Sequence, residues 1–341
     1  MKATIYDVAR EAGVSIAAVS QVINGKGKIS EERRNEIFAV MERLDYKPSV
    51  IAAALTGKKT YTFGLLIPDI SNPFFAEIAR AVEDRGHQLG YSIFICSTDN
   101  NDERVERYLS VLQQKSVDGI IVGTGMDHRD MLQPVLRKSM PVVLVARELP
   151  GLNVDTVVID DYAGGYLAGG HLAGLGHKRI AVLAESAKLV SSRERIRGFR
   201  EACEEAGLEW DESLVRTNGA DLVKDGRRNA TDWLAGDNRP TAIFCCNDLL
   251  AIGALQAAKE RGLRIPADLS IVGFDNTILA TATDPPLTTV AQPTGRMGEL
   301  AVDLLLEQEG SRRESPRRAV LAPELVLRES TAALRGKAPI K

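Results

Sequence analysis

Many of the residues able to hydrogen-bond a small molecule fall at one recurring place, just past a short apolar run. They are Asp69 and Asn72, Thr98 and Asp99, Thr124, Arg147, Asp160, Ser186, Asn247 and Asp248, and Asp275 with Asn276; Gln292 follows the run Leu287–Val290. Amides, carboxylates and an arginine can bond hydroxyl groups, while Phe74, Phe75 and Phe274 nearby offer flat apolar faces to ring carbons. The set fits recognition of a neutral polyhydroxylated ligand. Taken singly, each has a plainer reading: Asn72 as a helix cap, Asp275 as a turn residue, Arg147 as a surface charge.

A second set lies near the N-terminus. Two short helices joined by a Gly-containing turn form a helix-turn-helix, whose second helix would put its first residues against base edges in the major groove. Those residues are Ser15, Ile16, Ala17, Ala18 and, one turn on, Gln21. Gln21 can bond an adenine edge bidentately, whereas Ile16 and Ala17 can only touch thymine methyls or exclude other bases. Thr4, Tyr6, Ser15, Ser20 and Asn24 are placed for phosphate contacts, which position the protein without specifying sequence. The same spacing also fits a small three-helix bundle with no DNA role.

Catalytic and metal patterns are lacking. No G-x-G-x-x-G follows a strand, and Thr56-Gly57-Lys58-Lys59 lacks the upstream Gly and the Ser/Thr of a phosphate loop. His171 and His177 have no partners at metal spacing and are read as surface or capping residues. Asp160-Asp161 reads as a strand end and helix cap, and Cys245-Cys246 as core. The expectation is neither cofactor nor metal.

The elements that must position these residues follow from pattern. Thr4 with Asp7 makes a capping box ahead of an apolar stripe of Ile5, Val8 and Ala9. Ser15 caps a second helix with Val19, Val22 and Ile23 inward and Asn24-Gly25 at its end; Ser30 caps a third, with Ile37, Val40, Met41 and Leu44 inward, stopped at Tyr46-Lys47-Pro48. Residues 49–57 are alanine-rich and too short to be a stable helix alone. They read as a plain linker or as a hinge that folds only on DNA, with Leu55 as an apolar wedge in the minor groove. Beyond residue 61, continuous apolar strands alternate with amphipathic stretches at 73–89, 103–115, 162–175, 195–206 and 248–261. The strands are Phe63–Pro68, Ser92–Cys96, Gly119–Val122, Val142–Val145, Thr156–Ile159, Ile180–Leu183, Ala242–Cys246 and Ile271–Phe274. Such alternation means parallel sheets covered on both faces, here divided between two lobes.

Composition agrees. The 341 residues are 44% hydrophobic and 26% charged, which excludes wholesale disorder, and no apolar run is long enough to span a membrane. Four cysteines make no disulfide framework, and the start of the chain has no uninterrupted signal-peptide core, so a soluble cytoplasmic protein is expected. Residues 1–60 hold ten Lys/Arg against seven Asp/Glu, whereas the remainder holds 33 against 39. A basic head on an acidic body fits a nucleic-acid arm on a soluble core.

The head motifs Thr4-Ile5-Tyr6-Asp7-Val8-Ala9, Ala12-Gly13-Val14-Ser15 and Val19-Ser20-Gln21-Val22-Ile23-Asn24 closely resemble those of the lactose-repressor (LacI) family. So do Leu44-Asp45-Tyr46-Lys47-Pro48, Gly64-Leu65-Leu66-Ile67-Pro68, Asn72-Pro73-Phe74-Phe75, Gly176-His177, Asn247-Asp248 and Gly273-Phe274-Asp275. The resemblance covers about residues 4 to 330. It implies an all-α helix-turn-helix head and a hinge helix joined to a two-lobed α/β core like periplasmic sugar-binding proteins, the chain crossing between lobes three times. The implied divisions are 1–48 for the head, 49–60 for the hinge and linker, and 61–341 for the effector-binding and dimerisation core. Lobe one would hold about 61–160 and 291–322, lobe two about 161–290 and 323–330.

By the same resemblance, base recognition falls on Ile16, Ala17 and Gln21 and the minor-groove wedge on Leu55. Ala53 and Ala54 stand where relatives often carry polar or basic residues. The pocket resembles that of ribose-type binding proteins at Asn72, Phe74, Phe75, Arg147, Arg195, Asn247, Phe274, Asp275 and Gln292. Ala146 departs from the aspartate of the sugar binders. Losing that acceptor leaves Arg147 less neutralised, which would favour a sugar acid or a sugar phosphate over a neutral sugar.

The expected function is a bacterial repressor of carbohydrate genes, a homodimer on a near-palindromic operator, controlled by a sugar-like effector between the lobes. A purine- or nucleoside-responsive regulator of the same family, a solute-binding receptor for transport, and an enzyme acting on a sugar or nucleoside are the alternatives. The tail after Arg328 shows no heptads, so a dimer rather than a zipper-joined tetramer is expected.

Overall fold

The computed structural model describes residues 3–23, 27, 29–46, 59–126, 129–149, 151–217, 221–236, 238–310 and 315–334. Asn24, the segment 49–57 and its Leu55 lie outside the described residues.

Three helices make the head: α1 (Ile5–Glu11), α2 (Ile16–Ile23) and α3 (Glu31–Arg43). Each begins where a side-chain oxygen can take an orphan backbone N–H. Thr4 and Asp7 form the expected capping box, Thr4 accepting from the Asp7 N–H at 3.4 Å and Asp7 from the Thr4 N–H at 3.0 Å. Ser15 accepts from Ala18 N at 3.1 Å and Ser30 from Arg33 N at 3.3 Å. Gly13 turns the chain between α1 and α2 at φ +62°, a conformation open to glycine without strain. Val8, Ala9, Ala12, Val19, Val22, Ile37, Val40 and Met41 close into one apolar core, with Ile5, Ile23 and Leu44 packed on its edge.

The remainder carries two six-stranded sheets. The chain lays down β1 (Thr62–Ile67), α4 (Pro73–Gln88), β2 (Ser92–Ser97), α5 (Asp102–Gln114), β3 (Gly119–Val122), α6 (Gln133–Arg137), β4 (Val142–Val145) and β5 (Asp155–Ile159). It crosses to the second lobe with α7 (Asp161–Gly174), β6 (Ile180–Ala184), α8 (Val190–Glu205), β7 (Val215–Thr217), α9 (Leu222–Leu234), β8 (Ala242–Cys245), α10 (Asp248–Glu260), β9 (Ser270–Asp275), α11 (Ile278–Ala282) and β10 (Thr288–Ala291). It returns through α12 (Thr294–Gly310) and β11 (Arg318–Leu321), then crosses a third time into β12 (Glu324–Val326). The strand orders are β11-β5-β4-β3-β1-β2 and β12-β10-β9-β8-β6-β7. Every pairing is parallel except β10 with β12, as expected of strands buried on both faces. The Glu77 carboxylate of α4 accepts across the lobes from Ile278 N at 3.3 Å, and within its own lobe from Thr294 Oγ1 at 3.1 Å.

The eight expected strands form, with ends shifted by a residue. The pattern did not reveal the short β7, β11 and β12, or the helices α9 and α12. In the second lobe, α7 and α8 touch backbone to backbone: a Cβ on Gly165 would stand 2.0 Å from the Arg195 carbonyl oxygen, and one on Gly198 2.0 Å from that of Tyr162.

His177 corrects the reading of a surface or capping histidine. It is buried, with Nδ1 3.0 Å from Thr241 Oγ1 and Nε2 3.1 Å from both Ser270 Oγ and the Ala332 carbonyl, so it pins the C-terminal segment to the sheet. Burial lowers its pKa, with the Ala332 carbonyl opposing. The unfolded chain therefore binds the proton more readily, and this contribution to stability, full above about 6.5, is lost as pH falls from there through the lower folded value. His177→Gln should cost about 1–3 kcal/mol at pH 8. In urea melts its deficit against the parent should shrink at pH 5; a deficit that does not change with pH would contradict this role.

Candidate functional site

Residues beyond the carboxyl ends of strands from both lobes converge on a small inner chamber, which opens into a wider outer one. Asn72, Phe74, Phe75, Arg147, Arg195, Asp275 and Gln292 line it. Asn72 is also the cap of α4, its Oδ1 accepting from Phe74 N at 3.1 Å, so one residue both caps the helix and lines the chamber. The Phe74 and Phe75 rings meet edge to face at 5.0 Å and form an apolar wall.

Two of the nine expected residues sit a layer behind. Asn247 is buried as the cap of α10, accepting from Leu250 N at 2.8 Å. Phe274 is fully buried, and the Arg195 guanidinium lies 3.7 Å above its ring. Neither lines the chamber. Each touches a residue that does: the Asn247 amide donates to Glu185 Oε1 at 2.9 Å, and Phe274 lies under Arg195.

Arg195 is the most heavily tied group. Its Nε donates to Asp161 at 2.7 Å and its Nη1 to the Cys246 carbonyl at 2.5 Å, and Asp275 lies 3.8 Å away. Burial alone would lower its pKa, but Asp161 and Asp275 more than reverse that. Asp275 accepts from Gln292 Nε2 at 2.7 Å; burial pushes its carboxyl well above the ordinary range, against the pull of Arg195. Behind it, burial raises Asp248 to about 6 although both Thr289 and Thr277 donate to it.

The backbone here is strained. Ala146, Asp275 and Asn276 have φ of +54°, +110° and +55°, all in the region that disfavours side chains. Asn276 is held there by Arg328 Nη2 at 2.5 Å. Such strain clusters at binding sites, where the surrounding structure over-determines it.

The strand-end reading missed two carboxylates. Asp161, read as part of a cap, pairs with Arg195, while its neighbour Asp160 is the true cap of α7, accepting from Ala163 N at 2.9 Å. Glu185, the first residue past β6, faces the inner chamber; Ser186, singled out instead, reaches only a wider outer chamber of about 1500 Å³. Ala146, Arg147, Asp161, Glu185 and Ser191 belong to both chambers. Burial lowers the pKa of Arg147, with Glu185 the strongest opposing charge. Arg147 is thus faced by a carboxylate that the sequence reading did not supply.

At the other end of the chain, the outward face of α2 is built as the motif requires. Val19 and Val22 are buried, while Ser15, Ile16, Ala17 and Gln21 are exposed; Thr4 and Tyr6 are exposed beside them on α1. Ser20 is partly buried.

Comparison with known proteins agrees with both halves. Residues 4–49 match the family described as bacterial regulatory proteins, lacI family, and residues 170–331 a periplasmic binding protein-like domain. The HTH-type transcriptional regulator DegA of Bacillus subtilis is 47% identical over 337 residues, covering 98% of this chain and 99% of that one. The lac repressor dimer bound to operator and the anti-inducer ONPF superposes with a TM-score of 0.84 at 29% identity, over 98% of this chain and 100% of that one. A LacI family transcriptional regulator from Enterococcus faecium with bound ribose superposes at 0.72 with 32% identity, over 80% of this chain and 100% of that one.

Proposed function

The chain belongs to the lacI family of bacterial regulatory proteins, and from that premise we propose that it is a repressor of carbohydrate-utilisation genes whose operator affinity is controlled by a neutral sugar-like effector. It is a DNA-binding transcriptional regulator, not an enzyme. In this reading residues 1–48 read the operator, 49–60 are the hinge, and 61–341 bind effector and dimerise. The lobes divide at about 160, 290 and 322. The protein works in the cytoplasm, with the nucleoid when bound to its operator.

Two copies related by a two-fold axis present two α2 helices to a near-palindromic site. Gln21 reads an adenine edge, and Ile16 and Ala17 read methyls or exclude other bases. Thr4, Tyr6, Ser15, Ser20 and Asn24 hold phosphates, and Leu55 enters the minor groove.

The observation that carries the effector reading is the Arg147 guanidinium. It lines the chamber with its Nε buried and with no hydrogen-bond partner among the described residues. A buried donor left unmet is costly, and a ligand oxygen would meet it. The Phe74–Phe75 wall would cover ring carbons while Asn72, Gln292 and the carboxylates bond hydroxyls. With burial pushing Asp275 towards its neutral form, the remaining charges balance, Asp161 and Glu185 against Arg147 and Arg195, which suits a neutral effector.

The test is a co-titration of an operator, selected from random duplexes, against a sugar found by thermal shift. Effector and operator should change each other's affinity by one common factor, equivalent to about 1–3 kcal/mol. A sugar that binds while operator affinity stays constant would sink the coupled mechanism. On the same operator, Gln21→Ala should cost about 1–3 kcal/mol and relax the preference at one position per half-site. An equal loss on every sequence would make Gln21 a backbone contact.

A further inference from the structure

We propose that Glu185 is the second lobe's own contact to the effector, accepting a ring hydroxyl opposite Arg147 and excluding ligands with a carboxylate at that position. The inference rests on the reading of the chamber as the effector site and adds to it a residue and a charge class.

Glu185 is held in place before any ligand arrives. Its Oε1 accepts from Asn247 Nδ2 at 2.9 Å, and that amide cannot turn over because its Oδ1 caps α10 through Leu250 N at 2.8 Å. Its other oxygen has no hydrogen-bond partner among the described residues, so a fixed acceptor is left with spare capacity on the chamber wall.

Arg147, beyond β4 of the first lobe, has a buried Nε with no hydrogen-bond partner among the described residues. The two groups act on each other electrostatically yet form no ion pair within 4.0 Å. Each projects from a different lobe, beyond the end of a different strand. A ligand with an oxygen for Arg147 and a hydroxyl hydrogen for Glu185 completes both groups at once and joins the lobes through itself. A carboxylate facing Glu185 would instead set two acceptors against each other with no proton between them.

Ala146 fits the same account. Its left-handed φ of +54° suits Asp or Asn better than Ala, and it lines both chambers beside Arg147. The acceptor that could have stood there on the first lobe is provided by Glu185 from the second.

The test is calorimetry on the full chain with neutral pentoses and hexoses and their matching aldonic and uronic acids. The parent should bind a neutral sugar and discriminate against its acid. Glu185→Gln keeps an oxygen for the Asn247 amide, so its melting should match the parent; it should weaken the neutral sugar about tenfold or more and narrow the gap to the acid. Adding Ala146→Asp to Glu185→Gln should restore neutral-sugar affinity, which repair of a merely structural residue would not do. If Glu185→Gln binds the sugar as the parent does, the role of Glu185 is overturned while the effector site stands. A parent that prefers the acid overturns the charge class. A parent that binds no sugar or acid overturns the effector reading beneath both.

Discussion

Arg195→Met is expected to lower core stability by about 3–5 kcal/mol and to abolish the effector response, because it strips a nearly buried charge cluster of its cation. The Arg195 side chain is 11% exposed and Asp275 8%, so water can replace little of what is lost. Asp161 loses its partner at 2.7 Å, the Cys246 carbonyl loses its donor, and the Phe274 ring loses the guanidinium 3.7 Å above it. Methionine keeps most of the volume, so the loss measures unpaired charge rather than a cavity. Urea unfolding at pH 7 gives the number. Arg195→Met with Asp275→Asn should recover part of it, since one stranded charge is then removed. A single-variant loss below about 1 kcal/mol would show that the cluster relaxes into water, contrary to its burial.

Gly198→Ala should be the other large effect, from one methyl group. Its Cβ would stand 2.0 Å from the Tyr162 carbonyl oxygen and 3.0 Å from Tyr166 N, both backbone atoms that cannot swing aside. Helices α7 and α8 must part, at a cost of about 1–3 kcal/mol or more. Because α8 carries Ser191 and Arg195, effector affinity should fall along with stability. Operator binding without effector should persist, since the head has a core of its own. Gly170 on α7 is the control: nothing lies within 4 Å of its absent Cβ, so Gly170→Ala should gain up to about 1 kcal/mol from helix propensity. Equal melting of the two variants would contradict the close approach.

Close-packed glycines account for only part of what the pattern did not reveal, since α7 and α8 were legible despite Gly165 and Gly198. Helix α9 contains Gly226 and α12 contains Gly298, and both helices went unrecognised. A Cβ on Gly226 would meet Leu250 O at 2.3 Å, and one on Gly298 would meet Ala81 Cβ at 2.6 Å. The residue that lets a helix pack tightly lowers its local helical signal, so tertiary need and propensity point in opposite directions. The central strands were legible because continuous β-branched runs survive burial on both faces. Edge strands such as β11, Arg318–Leu321, alternate half-buried and exposed residues and carry charge, which resembles a loop.

The site divided in the same way. Strand-end position brought Asn72, Arg147, Asp275 and Gln292 to one chamber. That rule has a resolution of about one residue, which is why it pointed to Ser186 rather than Glu185. It also cannot separate a wall residue from the one supporting it, which is how Asn247 and Phe274 came to be grouped with the lining. Asp161 was hidden because adjacent aspartates at a helix start are an ordinary cap, and only its partner Arg195, 34 positions on, distinguishes it.

The three crossings between lobes, after β5, after β10 and between β11 and β12, make the joint a bundle of three tethers. One tether would let the lobes twist, slide and swing independently. Three tethers resist twisting and sliding far more than one does, so the joint is closer to a door hinge than to a ball joint. Whatever occupies the chamber can then report little beyond how far the door is shut. A ligand that fills the chamber without altering that angle would be bound and yet silent, which separates affinity from efficacy by mechanics alone.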